Sequence, residues 1–104
     1  MSAYSMVTTT VDSPEAADKI IARVLDEKLA ACVQVFPVTS HYVWQEQRRC
    51  DAEIMLQMKI KTSDWEALCE HIRHAHPYDT PEIVRAAIEA GDARYLKWIS
   101  EVTR

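Results

Sequence analysis

Ile54-Met55-Leu56-Gln57-Met58-Lys59-Ile60 alternates strictly. Ile54, Leu56, Met58 and Ile60 face one way and Met55, Gln57 and Lys59 the other, the period of two of a strand with one buried face. Upstream, Ala31 to Trp44 is too rich in Val, Thr and aromatic residues for a helix, and Pro37 in its middle confines it to an edge or a bulge. It reads as one long, bent strand. The polar tract Gln45 to Asp51 joins the two strands as an antiparallel hairpin, without the Asn-Gly or Asp-Gly pair of a tight turn.

On either side of this hairpin the periodicity changes. Tyr4 to Val11, with Val7, Thr8, Thr9, Thr10 and Val11, reads as a strand. Asp12-Ser13-Pro14-Glu15 then supplies a helix cap, a first-turn proline and an acid at the positive end of the helix dipole. The helix runs from Pro14 to Lys28, with Ala17, Ile20, Ile21, Val24 and Leu25 as its buried stripe. Ser63-Asp64-Trp65-Glu66 reads as a capping box. The helix it opens buries Trp65, Leu68, Cys69 and Ile72 and ends near His76, ahead of Pro77. Pro81 to Ile88 reads as a short strand, and Asp92 to Thr103 as a last helix with Leu96, Ile99 and Val102 inward.

The order is therefore βαββαβ plus a C-terminal helix: an α+β, ferredoxin-like fold with a four-stranded antiparallel sheet and a long hairpin between its second and third strands. Right-handed crossovers place both long helices on one sheet face. The other face is expected to be open, yet large apolar or aromatic residues occupy both strand parities: Val35 and Phe36, Val43 and Trp44, Met55 and Leu56. A solvated face would be polar, so a second copy of the chain is expected to cover it.

The chain has 104 residues, the length of a single domain spanning residues 1–104. With 48% hydrophobic and 27% charged residues it has the composition of a folded protein. Gly91 is the only glycine, which excludes glycine-rich phosphate loops and the nucleophile elbow. A net charge of -4, with no basic stripe beyond Arg48-Arg49, argues against nucleic-acid partners. The longest uncharged stretch, Leu29 to Gln45, holds Gln34, Pro37 and His41 and is no membrane span. Met1 to Tyr4 carries no basic segment leading into an apolar run, so no secretory signal is expected. Cys32, Cys50 and Cys69 are odd in number and widely spaced, hence free thiols, and the chain is expected in the cytoplasm.

Several pieces together resemble one family: Glu27-Lys28-Leu29-Ala30-Ala31-Cys32, Ser40-x-Tyr42-x-Trp44, Lys61-Thr62, His76-Pro77-Tyr78, Pro81-Glu82-Ile83 and Gly91-x-x-x-Tyr95-Leu96-x-Trp98. In that order they are similar to the CutA divalent-cation tolerance proteins. The resemblance covers nearly the whole chain. It implies a ferredoxin-like homotrimer, assembled like the PII signalling proteins, that binds copper or another divalent cation, with no settled enzymatic activity; the chain is expected to be non-enzymatic and, with so few candidate ligands, to bind the cation weakly. Some bacterial members of the family carry a cysteine in the first strand and two consecutive histidines before the Pro-Tyr pair. Here Thr9 and Ala75-His76 stand at those places, so only His76 carries over as a ligand. The glycine-lysine hairpin turn of the family is replaced by the longer Gln45 to Asp51 tract, and Ala87 stands where the family usually has proline.

From the residues themselves, His71 and His74 share a helix face near His76 and Cys69, which makes the three histidines candidate metal ligands. The plainer reading is a polar helix end whose histidines favour the dipole. Cys32 reads as a small buried hydrophobe and Cys50 as an exposed thiol open to oxidation or chance metal capture. Trp44, Tyr78, Tyr95 and Trp98 read either as packing between subunits or as walls of an interface pocket. In that pocket Lys61 and Glu53 would contact a small anion or a metal complex. Beside the metal-binding reading stand two others, a regulatory trimer sensing a small molecule and a ferredoxin-like phosphate hydrolase of the acylphosphatase kind. Asp12-Ser13-Pro14 suits the hydrolase poorly, because proline lacks the N–H a phosphate cradle needs.

Overall fold

The computed structural model describes residues 2–104; Met1, part of the N-terminal stretch read for a secretory signal, lies outside the described residues. The elements are β1 (Tyr4–Val11), α1 (Pro14–Asp26), β2 (Cys32–Trp44), β3 (Gln47–Lys61), α2 (Trp65–Ala75), β4 (Ile83–Ile88) and α3 (Ala93–Val102), with a 3-10 turn at Thr62–Asp64. The sheet order is β2-β3-β1-β4 and every pairing is antiparallel. The ferredoxin-like βαββαβ order with an added terminal helix is thus present.

Register divides the sheet into two faces. Val7 lies opposite Met58, Thr9 opposite Leu56 and Ser5 opposite Ile60, and all six are fully buried. Against them pack Ala17, Ile20 and Val24 of α1 and Leu68 and Ile72 of α2. This is the inner face. Leu25, assigned to the α1 stripe, is 40% exposed instead, because it sits at the rim of that packed surface.

The ends of α1 follow from local chemistry. Ser13 accepts a hydrogen bond from the Ala16 amide at 3.1 Å, with Pro14 in the first turn. The helix stops at Asp26 rather than Lys28, because Lys28 takes a left-handed backbone (φ 57°). The Leu29 amide then bonds to the Val24 carbonyl and the Lys28 amide to the Leu25 carbonyl, each at 3.0 Å. That is a Schellman closure, with Leu29 and Val24 as its apolar contact.

Three expectations need correction. No capping box forms at Ser63 and Glu66: Ser63 lies inside the 3-10 turn, whose tighter bonding satisfies the Trp65 amide through the Thr62 carbonyl, and Asp64 precedes α2 without a side-chain cap. The Gln45 to Asp51 tract does join the strands as an antiparallel hairpin, but only its first two residues turn. β3 begins at Gln47, and Gln45 (φ 50°) and Glu46 (φ 65°) make a two-residue turn with both backbones left-handed, the geometry that matches strand twist. The short strand starts at Ile83, leaving Pro81 and Glu82 in the preceding loop.

The outer face is not wholly open. Tyr4, which has outer-face parity, bonds through its hydroxyl to Ser100 Oγ of α3 at 2.6 Å. Tyr95 of α3 meets Cys32, and Ile99 is fully buried there. The last helix therefore covers one end of the outer face. It leaves Cys32 half-buried rather than buried and Val102 exposed rather than inward. The remainder, with Phe36, Tyr42, Trp44 and Val84, is uncovered in the subunit. The hairpin runs past the helices and gives a molecule 44 Å long and 26 by 22 Å across.

Candidate functional site

At the end of the outer face away from α3, the hairpin and the α2–β4 loop enclose a partly open cleft of about 640 Å³. Alternation along the hairpin puts Tyr42 opposite Arg49, Ser40 opposite Asp51 and Val38 opposite Glu53 on that side. Asp79, Thr80 and Glu82 wall the cleft from the loop, and Trp44 closes its outer end.

His76 fixes the loop. Its Nε2 lies 2.9 Å from the Thr10 carbonyl and 3.0 Å from Thr9 Oγ1, while Nδ1 accepts the Tyr78 amide at 3.1 Å. Donation to the carbonyl and acceptance from the amide require a neutral ring with its proton on Nε2. Burial lowers the His76 pKa, opposed by the Thr10 hydrogen bond and by the charges of Asp12 and Glu53. Thus seated, His76 packs on Tyr78 with ring centroids 4.9 Å apart. The Tyr78 hydroxyl donates to Glu53 Oε2 at 2.6 Å, tying loop to hairpin. Burial, and then the Glu53 hydrogen bond, drive the Tyr78 phenol pKa well above its ordinary value. Tyr42 donates to Asp51, the leading cause of its own raised pKa.

The cleft therefore gathers Trp44, Tyr78 and Glu53. Lys61 and Trp98 lie elsewhere. Lys61 lines a separate recess of about 500 Å³ with Tyr4, Thr62 and Ser100, and its Nζ donates to the main-chain oxygen of Arg104. Trp98 stands on α3 beside Tyr95, ring centroids 5.6 Å apart. The lining carries three carboxylates, Glu53, Asp79 and Glu82, beside Arg49 and His41.

The helix-end histidines point apart. His71 Nδ1 accepts from Arg23 Nε at 2.9 Å, with Nε2 3.9 Å from Glu27. His74 is exposed, 3.9 Å from Glu70, and Cys69 accepts from Arg73 at 3.7 Å. Among the described residues no group of three or more His, Cys, Asp or Glu side chains is placed to hold a metal ion. As they stand, these residues do not make a preformed centre for the cation that the resemblance implies. The structure does bring His41 and Cys50 together across the hairpin, with Sγ 3.8 Å from Nε2. Reading that pair beforehand required the hairpin register, which depends on a turn with no glycine or asparagine to mark it.

Residues 5–102 match the family described as CutA1 divalent ion tolerance protein. The chain belongs to that family. Its relatives include the rice protein CutA 1, chloroplastic, 38% identical over 100 residues, which are 95% of this chain and 56% of the rice protein. The chain thus spans just over half the length of that relative. The divalent-cation tolerance protein CutA of Thermus thermophilus is 40% identical over 99 residues, covering 94% of this chain and 96% of that protein. Its solved structure superposes with a TM-score of 0.93 at 39% identity, covering 97% and 99% of the two chains. The periplasmic divalent cation tolerance protein CutA from Archaeoglobus fulgidus superposes at 0.92 with 31% identity, covering 95% and 97%. The chain has the fold of these structures, and among its described residues no helix is long and apolar enough to cross a membrane.

Proposed function

We propose that this CutA-family chain acts as a non-enzymatic, cytoplasmic homotrimer in tolerance to divalent cations, copper among them. The observation that carries the assembly is the uncovered part of the outer face. Phe36, Tyr42, Trp44 and Val84 are 39 to 53% exposed there and Trp98 is 36% exposed on the adjoining helix, while β2 offers an unpaired edge of 13 residues. Apolar area and an open edge on one side of a subunit favour burial against copies of itself. The number three comes from the family resemblance, and three free cysteines support a reducing compartment. Light scattering at micromolar concentration is expected to give a three-chain mass; a one-chain mass overturns the reading.

On this reading Trp44, Tyr78 and Glu53 lie at the subunit boundary. The cleft beside them supports the second reading, a PII-like trimer that senses a small molecule. Its carboxylates favour a cationic or neutral ligand over the small anion expected from Lys61. Cation binding at the end of α2 is weak: His74 is free to coordinate, His71 does so after leaving Arg23, and His76 only by giving up the bonds that hold the loop. Titration of metal-free protein with copper and zinc is expected to give micromolar or weaker binding there, reduced by His74→Ala. Binding indifferent to His71, His74 and His76 overturns the helix-end assignment.

A further inference from the structure

One pair of side chains with ligand chemistry bridges the hairpin strands at the rim of the cleft, whose lining includes His41 but not Cys50, and packs against no core. His41 and Cys50 occupy directly opposed positions of β2 and β3, both exposed, beyond the reach of α1 and α2. They lie on the hairpin face that also carries Val43 and Arg48, and the thiol is in contact with the imidazole, Sγ to Nε2 3.8 Å. Neither side chain contributes to the buried core.

We propose that His41 and Cys50 form a two-ligand site for a closed-shell, borderline-soft divalent cation such as zinc, with water completing the coordination. Thiolate and imidazole select such ions over magnesium or calcium. For a metal–sulfur distance of about 2.3 Å and a metal–nitrogen distance of about 2.05 Å, the observed S···N separation closes at a ligand–metal–ligand angle of about 120°. An ion therefore enters with little movement of either side chain, and the two paired strands hold the spacing before it arrives. On binding, Cys50 gives its thiol proton to solvent and its sulfur bonds the metal. The His41 Nε2 lone pair makes the second bond, the ring proton resting on Nδ1, and two metal-bound waters leave. No electron is transferred, since zinc has no redox chemistry here. Arg48, on the same face, opposes the incoming charge, while Arg49 and Asp51 point to the other side of the hairpin. Two protein ligands beside a guanidinium set the affinity in the micromolar range as an order of magnitude.

The site takes its biological sense from the divalent-cation reading but needs neither the trimer nor the helix-end histidines. The test is a titration of the full, reduced, metal-free chain with zinc chloride in two buffers of different ionisation enthalpy, together with the rate of Cys50 alkylation with and without zinc. One zinc per chain is expected at this pair, separate from any ion at the end of α2, with proton release and slowed alkylation. Cys50→Ser and His41→Ala should each weaken binding at least tenfold, and Cys69→Ser and His74→Ala should leave this binding unchanged. Both hairpin positions are exposed, so the variants keep the fold. Unchanged affinity in Cys50→Ser and His41→Ala, or sensitivity to Cys50→Ser alone, overturns the pair as a site. Binding lost with His74→Ala instead overturns it while upholding the helix-end assignment, and a chain that takes up no zinc overturns both.

Discussion

The two faces of the sheet differ in what completes them. On the inner face Val7, Leu56, Met58 and Ile60 pack with α1 and α2 and are fully buried within one chain. On the outer face α3 covers one end only, and the hairpin carries Tyr42 and Trp44 out to 40 and 42% exposure. A fold can thus be locally finished on one side and depend on association on the other. Folding and assembly should respond to different residues.

The largest effect belongs to the inner face. Leu56→Ala removes a fully buried side chain at the centre of the sheet, and the cavity should cost about 2 to 5 kcal/mol in chemical denaturation. Trp44→Ala should do the opposite, sparing the subunit and weakening assembly by about 2 kcal/mol or more, as truncation of an aromatic anchor does. Sedimentation at falling concentration reads this as earlier dissociation. If Trp44→Ala left dissociation unchanged, or Leu56→Ala cost nothing, the division between the faces would fail.

His76 tests the seam between the regions, since it ties the loop of the outer cleft to β1. His76→Ala leaves the Thr10 carbonyl and the Tyr78 amide without their partner and should cost about 1 to 3 kcal/mol. Its pH signature has a definite sign. Burial lowers the folded pKa below the ordinary 6.5, so the unfolded chain takes up the proton first. Stability from this group is full above pH about 6.5, falls as the pH drops below that, and levels off once the folded value is passed. His76→Gln should lack this decline, and parallel stability curves for the two proteins would contradict it.

Much of the inner face could be read from local pattern. The alternation from Ile54 to Ile60 and the stripe of Ala17, Ile20 and Val24 depend only on the periods of strand and helix, and Pro37 confined β2 to an edge or a bulge, of which the structure has the edge. The outer side was less legible, because its contacts join residues far apart. His76 reaches Thr9 and Thr10, 67 and 66 positions away, and Tyr78 reaches Glu53 through a loop whose path no periodicity marks. The coverage by α3 depends on the Tyr4 to Ser100 contact. The hairpin tip was missed because Gln45 and Glu46 adopt backbones that glycine or asparagine usually signals.

The smallest expected effect compares one such backbone from each region. Lys28 closes α1 at the edge of the packed face, and Glu46 turns the tip of the projecting hairpin, both with positive φ. A left-handed conformation costs a side-chain-bearing residue about 1 to 2 kcal/mol, while glycine adds about 0.5 to 1 kcal/mol of unfolded-state entropy to be lost. Lys28→Gly and Glu46→Gly should therefore each gain stability, by up to about 1 kcal/mol. The gain at Lys28 should appear in subunit unfolding whatever the protein concentration, because the closure is bonded within one chain to the Val24 and Leu25 carbonyls. At Glu46 it should appear in full only if the isolated hairpin holds the same turn as the assembled one. A gain at Lys28 and none at Glu46, measured by denaturation below the dissociation concentration, would show that the hairpin tip takes its shape from a neighbouring subunit rather than from its own two strands.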